Sequence, residues 1–311
     1  MHGIPQGILY EAHWFKVYNR LIHRWGEKMT QSRVCPGPWK KLLVCTDGSP
    51  NSQVAVNKTL ALARLCGSTV FVLQVLQTIP EVECMAPDLM VQLPEEIRRQ
   101  MEAIKAQAAA GGVTLKTRIC RSVSPFAAIL AEIERLQPDL VVMGRYGKTG
   151  LTRLMLGSVT ARVIDLSPVN VLVVPLGSTL GFSRILIASD GLPCSAAAFR
   201  EALAIARQMR GQLLAISVLP RKKETGLAEE ILENLHITAA EQGVDLKSRV
   251  LVGEPDAAIV DAAQKSRTEL IVLGNLGRTG FKRLLLGSVA ERVIGQAACP
   301  VLVVKKAPEL E

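Results

Sequence analysis

The 311-residue chain is predicted to be an α/β protein made of two tandem five-stranded parallel-sheet sandwiches of Rossmann-like form. Three observations carry that prediction. Short, fully apolar runs alternate with amphipathic stretches, the pattern of a parallel sheet covered by helices on both faces. The whole series then occurs a second time. Each copy also ends in the same glycine spacing, Gly144-x2-Gly147-x9-Gly157-Ser158 and Gly274-x2-Gly277-x9-Gly287-Ser288.

The elements follow in order. "KKLLVCTDGSP" (40–50) is an apolar run closing in turn chemistry, and "SRILIASDGLP" (183–193) repeats it. Helical spacing comes next, through Val54, Leu60, Leu62 and Ala63 in one copy and Ala197, Phe199, Leu203 and Ile205 in the other. "STVFVLQVL" (68–76) and "GQLLAISVL" (211–219) are the second strands. Helices over 94–110 and 226–242 and strands over 113–120 and 244–252 follow. Helices then open at "SPFAAIL" (124–130) and "EPDAAIV" (254–260). "PDLVVMG" (138–144) and "TELIVLG" (268–274) run into the glycine stretches, and "VNVLVVP" (169–175) and "CPVLVVK" (299–305) close the units. The copies lie 130 residues apart from Ser124 onward and 143 apart at Asp47 and Asp190, the difference being a longer loop around 77–94. The expected organisation is an N-terminal extension (1–38), a first domain (39–176), a linker (177–182) and a second domain (183–311).

Composition excludes several classes. Hydrophobic residues make up 49% and charged residues 21%, a folded rather than disordered profile. No apolar run approaches the ~18 residues of a membrane span, and no signal-peptide layout opens the chain. The net charge of +9 is spread thinly: six Lys/Arg against two Asp/Glu in 1–40, fourteen against eleven in 41–178, seventeen against fifteen in 179–311. Nucleic acid binding needs clustering that these domains lack. Seven scattered cysteines without a CxxC pair predict neither a disulfide framework nor a zinc ribbon, and place the protein in a reducing cytoplasm.

Gly144 and Gly274 end apolar strands, at the sheet edge where ligands of open α/β sheets collect. Gly157-Ser158 and Gly287-Ser288 precede helical patterns, so each serine is expected as an N-cap, and the helix N-terminus beside it favours an anion. A glycine-lined phosphate cradle follows; glycines kept for turns and close packing alone are the competing reading. Neither a Walker A loop nor a GxGxxG fingerprint is present. Asp47 and Asp190 sit at the same edge and suit either ligand contact or Asx turns. Arg153 and Arg283 suit phosphate or solvent. No catalytic histidine or metal-ligand spacing emerges, and His236 reads as a plain helix residue.

With these residues quoted, the sequence over about 39–306 resembles the universal stress protein family, whose nucleotide-binding subgroup carries G-x2-G-x9-G-[S/T]. The stretch "LLLGSVAERVIGQAACPVLVV" (284–304) is similar to its closing segment. The resemblance implies an adenine nucleotide alpha hydrolase-like fold and ATP, ADP or AMP in each unit, with Mg as a possible companion. It implies Asp47 or Asp190 beside the nucleotide and Val75 or Val218 contacting adenine through its backbone. The expected role is a nucleotide-dependent sensor or regulatory binding module rather than an enzyme; a slow ATPase or nucleotide-dependent transferase using Asp47 or Asp190, and a nucleotide-free interaction protein using the N-terminal arm, are the alternatives. The resemblance further implies pairing of 171–174 with 301–304 about a pseudo-twofold axis, which leaves a homodimer and an unknown protein partner open. The extension places Trp14, Tyr18, Leu21, Ile22 and Trp25 on one helical face, suited to docking on protein and, less favoured, to an anionic membrane.

Overall fold

The computed structural model describes residues 34–78, 94–148, 156–220, 225–275 and 286–305. The amphipathic face at Trp14–Trp25 and the residues Gly277, Arg153 and Arg283 lie outside them. The compact unit is Cys35–Glu311.

Its first lobe runs β1 (Lys41–Thr46), α1 (Pro50–Cys66), β2 (Thr69–Gln77), α2 (Glu95–Ala110), β3 (Leu115–Ser122), α3 (Pro125–Leu136), β4 (Leu140–Gly144), α4 (Ser158–Leu166) and β5 (Val171–Val174). The second runs β6 (Arg184–Ala188), α5 (Pro193–Met209), β7 (Gln212–Leu219), α6 (Thr225–Glu241), β8 (Leu246–Val252), α7 (Pro255–Lys265), β9 (Leu270–Gly274), α8 (Ser288–Gln296) and β10 (Val301–Val304). Local chemistry sets the ends of α1. Ser49 accepts a hydrogen bond from the Ser52 amide, Pro50 fills the first turn, and Gly67 closes the helix in the left-handed region at φ 64°.

The strand order is β3-β2-β1-β4-β5-β10-β9-β6-β7-β8. Within each lobe the strands are parallel. At the centre β5 and β10 pair antiparallel, Val171 with Val303, Leu172 with Leu302 and Val173 with Val301, as the family resemblance implies. Two five-stranded halves thus become one ten-stranded sheet. The core is organised by face rather than by lobe. Side chains of α1, α2, α5 and α6 pack on one face, and those of α3, α4, α7 and α8 on the other. The central strands are buried along their length, which is why they read as unbroken apolar runs. The linker is fastened too, with Phe182 buried and its ring centroid 6.4 Å from that of Trp39.

One expectation needs correction. Cys35 and Cys66 form a disulfide across 31 residues of sequence, tying the segment before β1 to the end of α1. Cysteine scatter could not show this, because the pairing depends on where α1 returns after packing on the sheet. The cysteine pattern therefore no longer argues for a reducing compartment. No helix among the described residues is long and apolar enough to cross a membrane.

Candidate functional site

In the first lobe the chain leaves β1 toward β2 on one side and β4 toward β5 on the other, so the strand order reverses between β1 and β4. The adjacent carboxyl ends of these strands leave a crevice, the usual ligand position in open α/β sheets. The same reversal occurs between β6 and β9.

Asp47 follows β1 directly into this crevice. Its Oδ1 accepts from the Ser49 amide at 3.0 Å, an Asx turn leading into α1. Its Oδ2 accepts from the Lys148 amide at 2.8 Å, across 101 residues of sequence. Burial alone would raise the carboxyl pKa, but hydrogen bonds from Ser49, Ser52 and the Lys148 amide outweigh it and hold the group below its ordinary value. Asp47 is therefore an anchored anion that fixes the start of the glycine loop. Asp190 repeats the Asx turn, its Oδ1 accepting from the Leu192 amide at 3.1 Å.

The glycines answer to the fold as well as to any ligand. A Cβ on Gly144 would lie 3.0 Å from the Asn51 carbonyl carbon, and one on Gly274 would lie 2.7 Å from that of Cys194. Both glycines thus let the first turn of α1 or α5 press against the neighbouring strand. A Cβ on Gly147 would strike the Asp47 carboxylate, and one on Gly157 would lie 3.0 Å from the Tyr146 Cα. Each loop is closed at its neck, by the Gly157 amide on the Arg145 carbonyl at 2.9 Å and the Gly287 amide on the Asn275 carbonyl at 3.0 Å.

The serines are not N-caps. Gly157 and Gly287 occupy the cap positions in extended conformation without a side-chain cap bond, while Ser158 and Ser288 are the first helical residues of α4 and α8. Glycine takes the cap because the neck bond already fixes its amide there. Both serines are exposed, at helix ends whose first-turn amides lack intrahelical partners. Val75 and Val218 belong to β2 and β7, one strand outward from the reversal, and pair with Cys120 and Leu251. Near these strand ends Asn51 Oδ1 and Gln74 Oε1 are buried without a hydrogen-bond partner. The second lobe carries Cys194 and Ser217 at the matching positions.

Sequence reasoning missed how the two loops meet the opposite lobes. Arg145, 8% exposed, follows β4 and donates to the carbonyls of Gly295, at 2.9 Å, and Ala297, at the C-terminal end of α8. Reciprocally, Asp165 near the C-terminal end of α4 accepts from the Leu286 amide, immediately before Gly287. Lys305 adds Nζ bonds to the carbonyls of Ile164 and Asp165. Burial lowers the Lys305 pKa to about 8, against the pull of Asp165, and raises that of Asp165 despite the Leu286 amide. Contacts therefore run in a ring: first loop, α4, Asp165, second loop, α8, Arg145, first loop. The signal lay in paired divergence. Arg145 and Asp165 in one copy stand where Asn275 and Gly295 stand in the other.

The profile of the universal stress protein family matches residues 38–175 and 181–305. A universal stress protein of Methanocaldococcus jannaschii (MJ0531) is 38% identical over 141 residues, covering 40% of this chain and 83% of its own. The universal stress protein E homolog of Haemophilus influenzae is 27% identical over 217 residues, covering 62% and 70%. A solved universal stress protein of Archaeoglobus fulgidus superposes with a TM-score of 0.68 at 21% identity, over 87% of this chain and 100% of that one.

Proposed function

The chain belongs to the universal stress protein family, and from that premise we propose that it binds an adenine nucleotide in each lobe and acts as a nucleotide-dependent regulatory module. One observation carries the reading. The Asp47–Lys148 bond fastens the glycine loop to the strand-order reversal, beside the α4 N-terminus, whose first-turn amides lack intrahelical partners.

The residues fit the group in three ways. The first-turn amides of α4 and α8 and the hydroxyls of Ser158 and Ser288 are donors suited to phosphate oxygens. Asn51 Oδ1 and Gln74 Oε1 are unpaired acceptors at the same end of the first-lobe sheet, where a ribose hydroxyl or an adenine amine would satisfy one of them. Val75 and Val218 offer strand backbone next to the reversal. For magnesium the fit is poorer: no group of three His, Cys, Asp or Glu side chains exists among the described residues. Magnesium would enter with the phosphates.

Binding, rather than turnover, agrees with the state of Asp47. A general base must take up a proton near working pH, whereas this carboxylate is held below its ordinary pKa and both its oxygens accept backbone amides. The ring through Asp165 and Arg145 supplies the regulatory element, since a ligand held at either loop bears on the other. The β5–β10 joint already uses the strand surface through which the lobes meet, so a homodimer or protein partner engages another face.

Native mass spectrometry and titration with ATP, ADP and AMP test the proposal. Two nucleotides per chain are expected, with Ser158→Asp and Ser288→Asp each removing one. An acidic residue suits a helix's first turn but repels phosphate, so these variants stay folded. No saturable binding of any of the three near about 1 mM, a Kd worth only about −4 kcal/mol, would overturn it.

A further inference from the structure

Far from the glycine loops, the first lobe contains a second candidate site. A cavity of about 510 Å³ lies between the amino-terminal halves of β1, β2 and β3 and the C-terminal end of α3, within the range of ~300–1,000 Å³ that small-molecule sites occupy. Its apolar surface comes from the half-buried Phe71 and Leu136, with Leu43, Val72 and Leu73 fully buried beneath them. Around it stand four cations, Lys41, Lys116, Arg118 and Arg135, against one carboxylate, Glu132.

Glu132 organises the arrangement. Its side chain is 7% exposed and joins both arginines, receiving Arg118 Nε at 2.9 Å and Arg135 Nη2 at 2.8 Å. The ion pair with Arg118 engages Nε and not the Nη groups. Lys116 Nζ lies 5.6 Å from the centroid of Phe71, and Lys41 Nζ donates to the Leu136 carbonyl at 3.3 Å. Each cation is thus held in place by a partner, while the two arginine side chains remain 52% exposed.

The fold itself does not require this carboxylate. The second lobe packs α7 on the same face of the sheet with Ala262 at the matching position, 7% exposed. Burying a carboxylate costs several kcal/mol unless it is well paired, and the alanine copy avoids that cost. What Glu132 adds is orientation: it gathers both guanidinium groups at one edge of the opening, where Arg135 gives it Nε and Nη2 and Arg118 gives it Nε, which leaves the Arg118 Nη groups and the Arg135 Nη1 for a phosphate or carboxylate.

We propose that this cavity is a binding site for an organic phosphate, the apolar body lying against Phe71 and the anionic head between Arg118 and Arg135. The site is separate from the glycine loops, which occupy the carboxyl ends of the strands, and the second lobe has Ala262 and Leu214 where the first has Glu132 and Phe71. Glu132 acts here as a positioning residue.

The test uses the full chain with 1-naphthyl phosphate as probe, followed by calorimetry and by the probe's own fluorescence, with inorganic phosphate and 1-naphthol as partial probes. One site per chain is expected, with each partial probe binding at least about tenfold more weakly, 1-naphthol for want of the charge-assisted contacts and inorganic phosphate for want of apolar burial against Phe71. The Arg118→Gln/Glu132→Gln/Arg135→Gln triple variant removes the buried charge with its partners, so it folds while losing binding. Lys41→Gln/Lys116→Gln leaves the Glu132 cluster intact and should weaken binding at least about threefold, with a shallower salt dependence. Ser158→Asp and Ser288→Asp should leave the affinity unchanged. Glu132→Gln alone separates orientation from net charge: removing a negative charge should tighten binding if charge dominates, and weaken it if orientation does. The proposal is overturned if the probe fails to saturate, if the triple variant binds as well as the parent, if inorganic phosphate alone matches the probe, if the serine variants abolish the signal, or if Glu132→Gln tightens binding.

Discussion

Replacing Arg145 by alanine should cost the unit about 2–4 kcal/mol. The side chain is 8% exposed and donates to two carbonyls of the other lobe, those of Gly295 and Ala297. Hydrogen bonds to a charged group contribute about 1.5–3 kcal/mol each, so two set a gross loss of about 3–6 kcal/mol. Part of this returns, because burial disfavours the guanidinium, pushing its pKa down, and its Nε is buried without a partner. Water reaching the vacated space would also satisfy one of the freed carbonyls. Arg145→Lys, which keeps the charge but replaces the planar, extended fork of donors by one compact ammonium, should fall between parent and alanine. Urea unfolding followed by far-UV circular dichroism measures the difference, with the slope m compared to verify that the transition is the same one. A change below about 0.5 kcal/mol, the size of an ordinary surface substitution, would show that Arg145 does not fasten the first loop to the second lobe.

Three further outcomes are expected. Asp47 titrates below its unfolded value in the native state, so its contribution is complete above the ordinary carboxylate range and is lost as pH falls through the lower native pKa; the stability gap between parent and Asp47→Asn should therefore close in acid, and a gap that widens in acid would contradict the assignment. Gly274→Ala should destabilise more than Gly144→Ala, because the added methyl meets Cys194 backbone at 2.7 Å in one case and Asn51 backbone at 3.0 Å in the other; overpacking of this kind costs about 1–3 kcal/mol, and thermal melts that reverse the order would refute it. Cys45 and Cys299, whose thiols burial pushes up to about 12 and about 11, should resist iodoacetamide in the native protein, and Cys35 and Cys66 should label only after reduction; peptide mapping reads all four.

Much of this architecture is legible in the chain because parallel strands buried on both faces must be apolar throughout, and because duplication prints each element twice. The glycine spacing likewise marks the loops at the strand-order reversal, since only glycine lets α1 and α5 approach β4 and β9 so closely. Helix ends were harder. Ser158 resembles an N-cap by residue type, but the neck bond between Gly157 and Arg145 gives that position to glycine. Apart from the β5–β10 pairing that the family resemblance implies, contacts between distant segments were not read from the chain. The Cys35–Cys66 bridge, the Asp47–Lys148 bond, the Arg145 and Asp165 crossings and the Glu132 cluster join residues whose neighbourhood exists only once ten strands share one sheet. Local periodicity and turn chemistry therefore determined the elements and their order. Tertiary packing decided which charges are buried, which amides are spoken for, and that Glu132 meets Arg118.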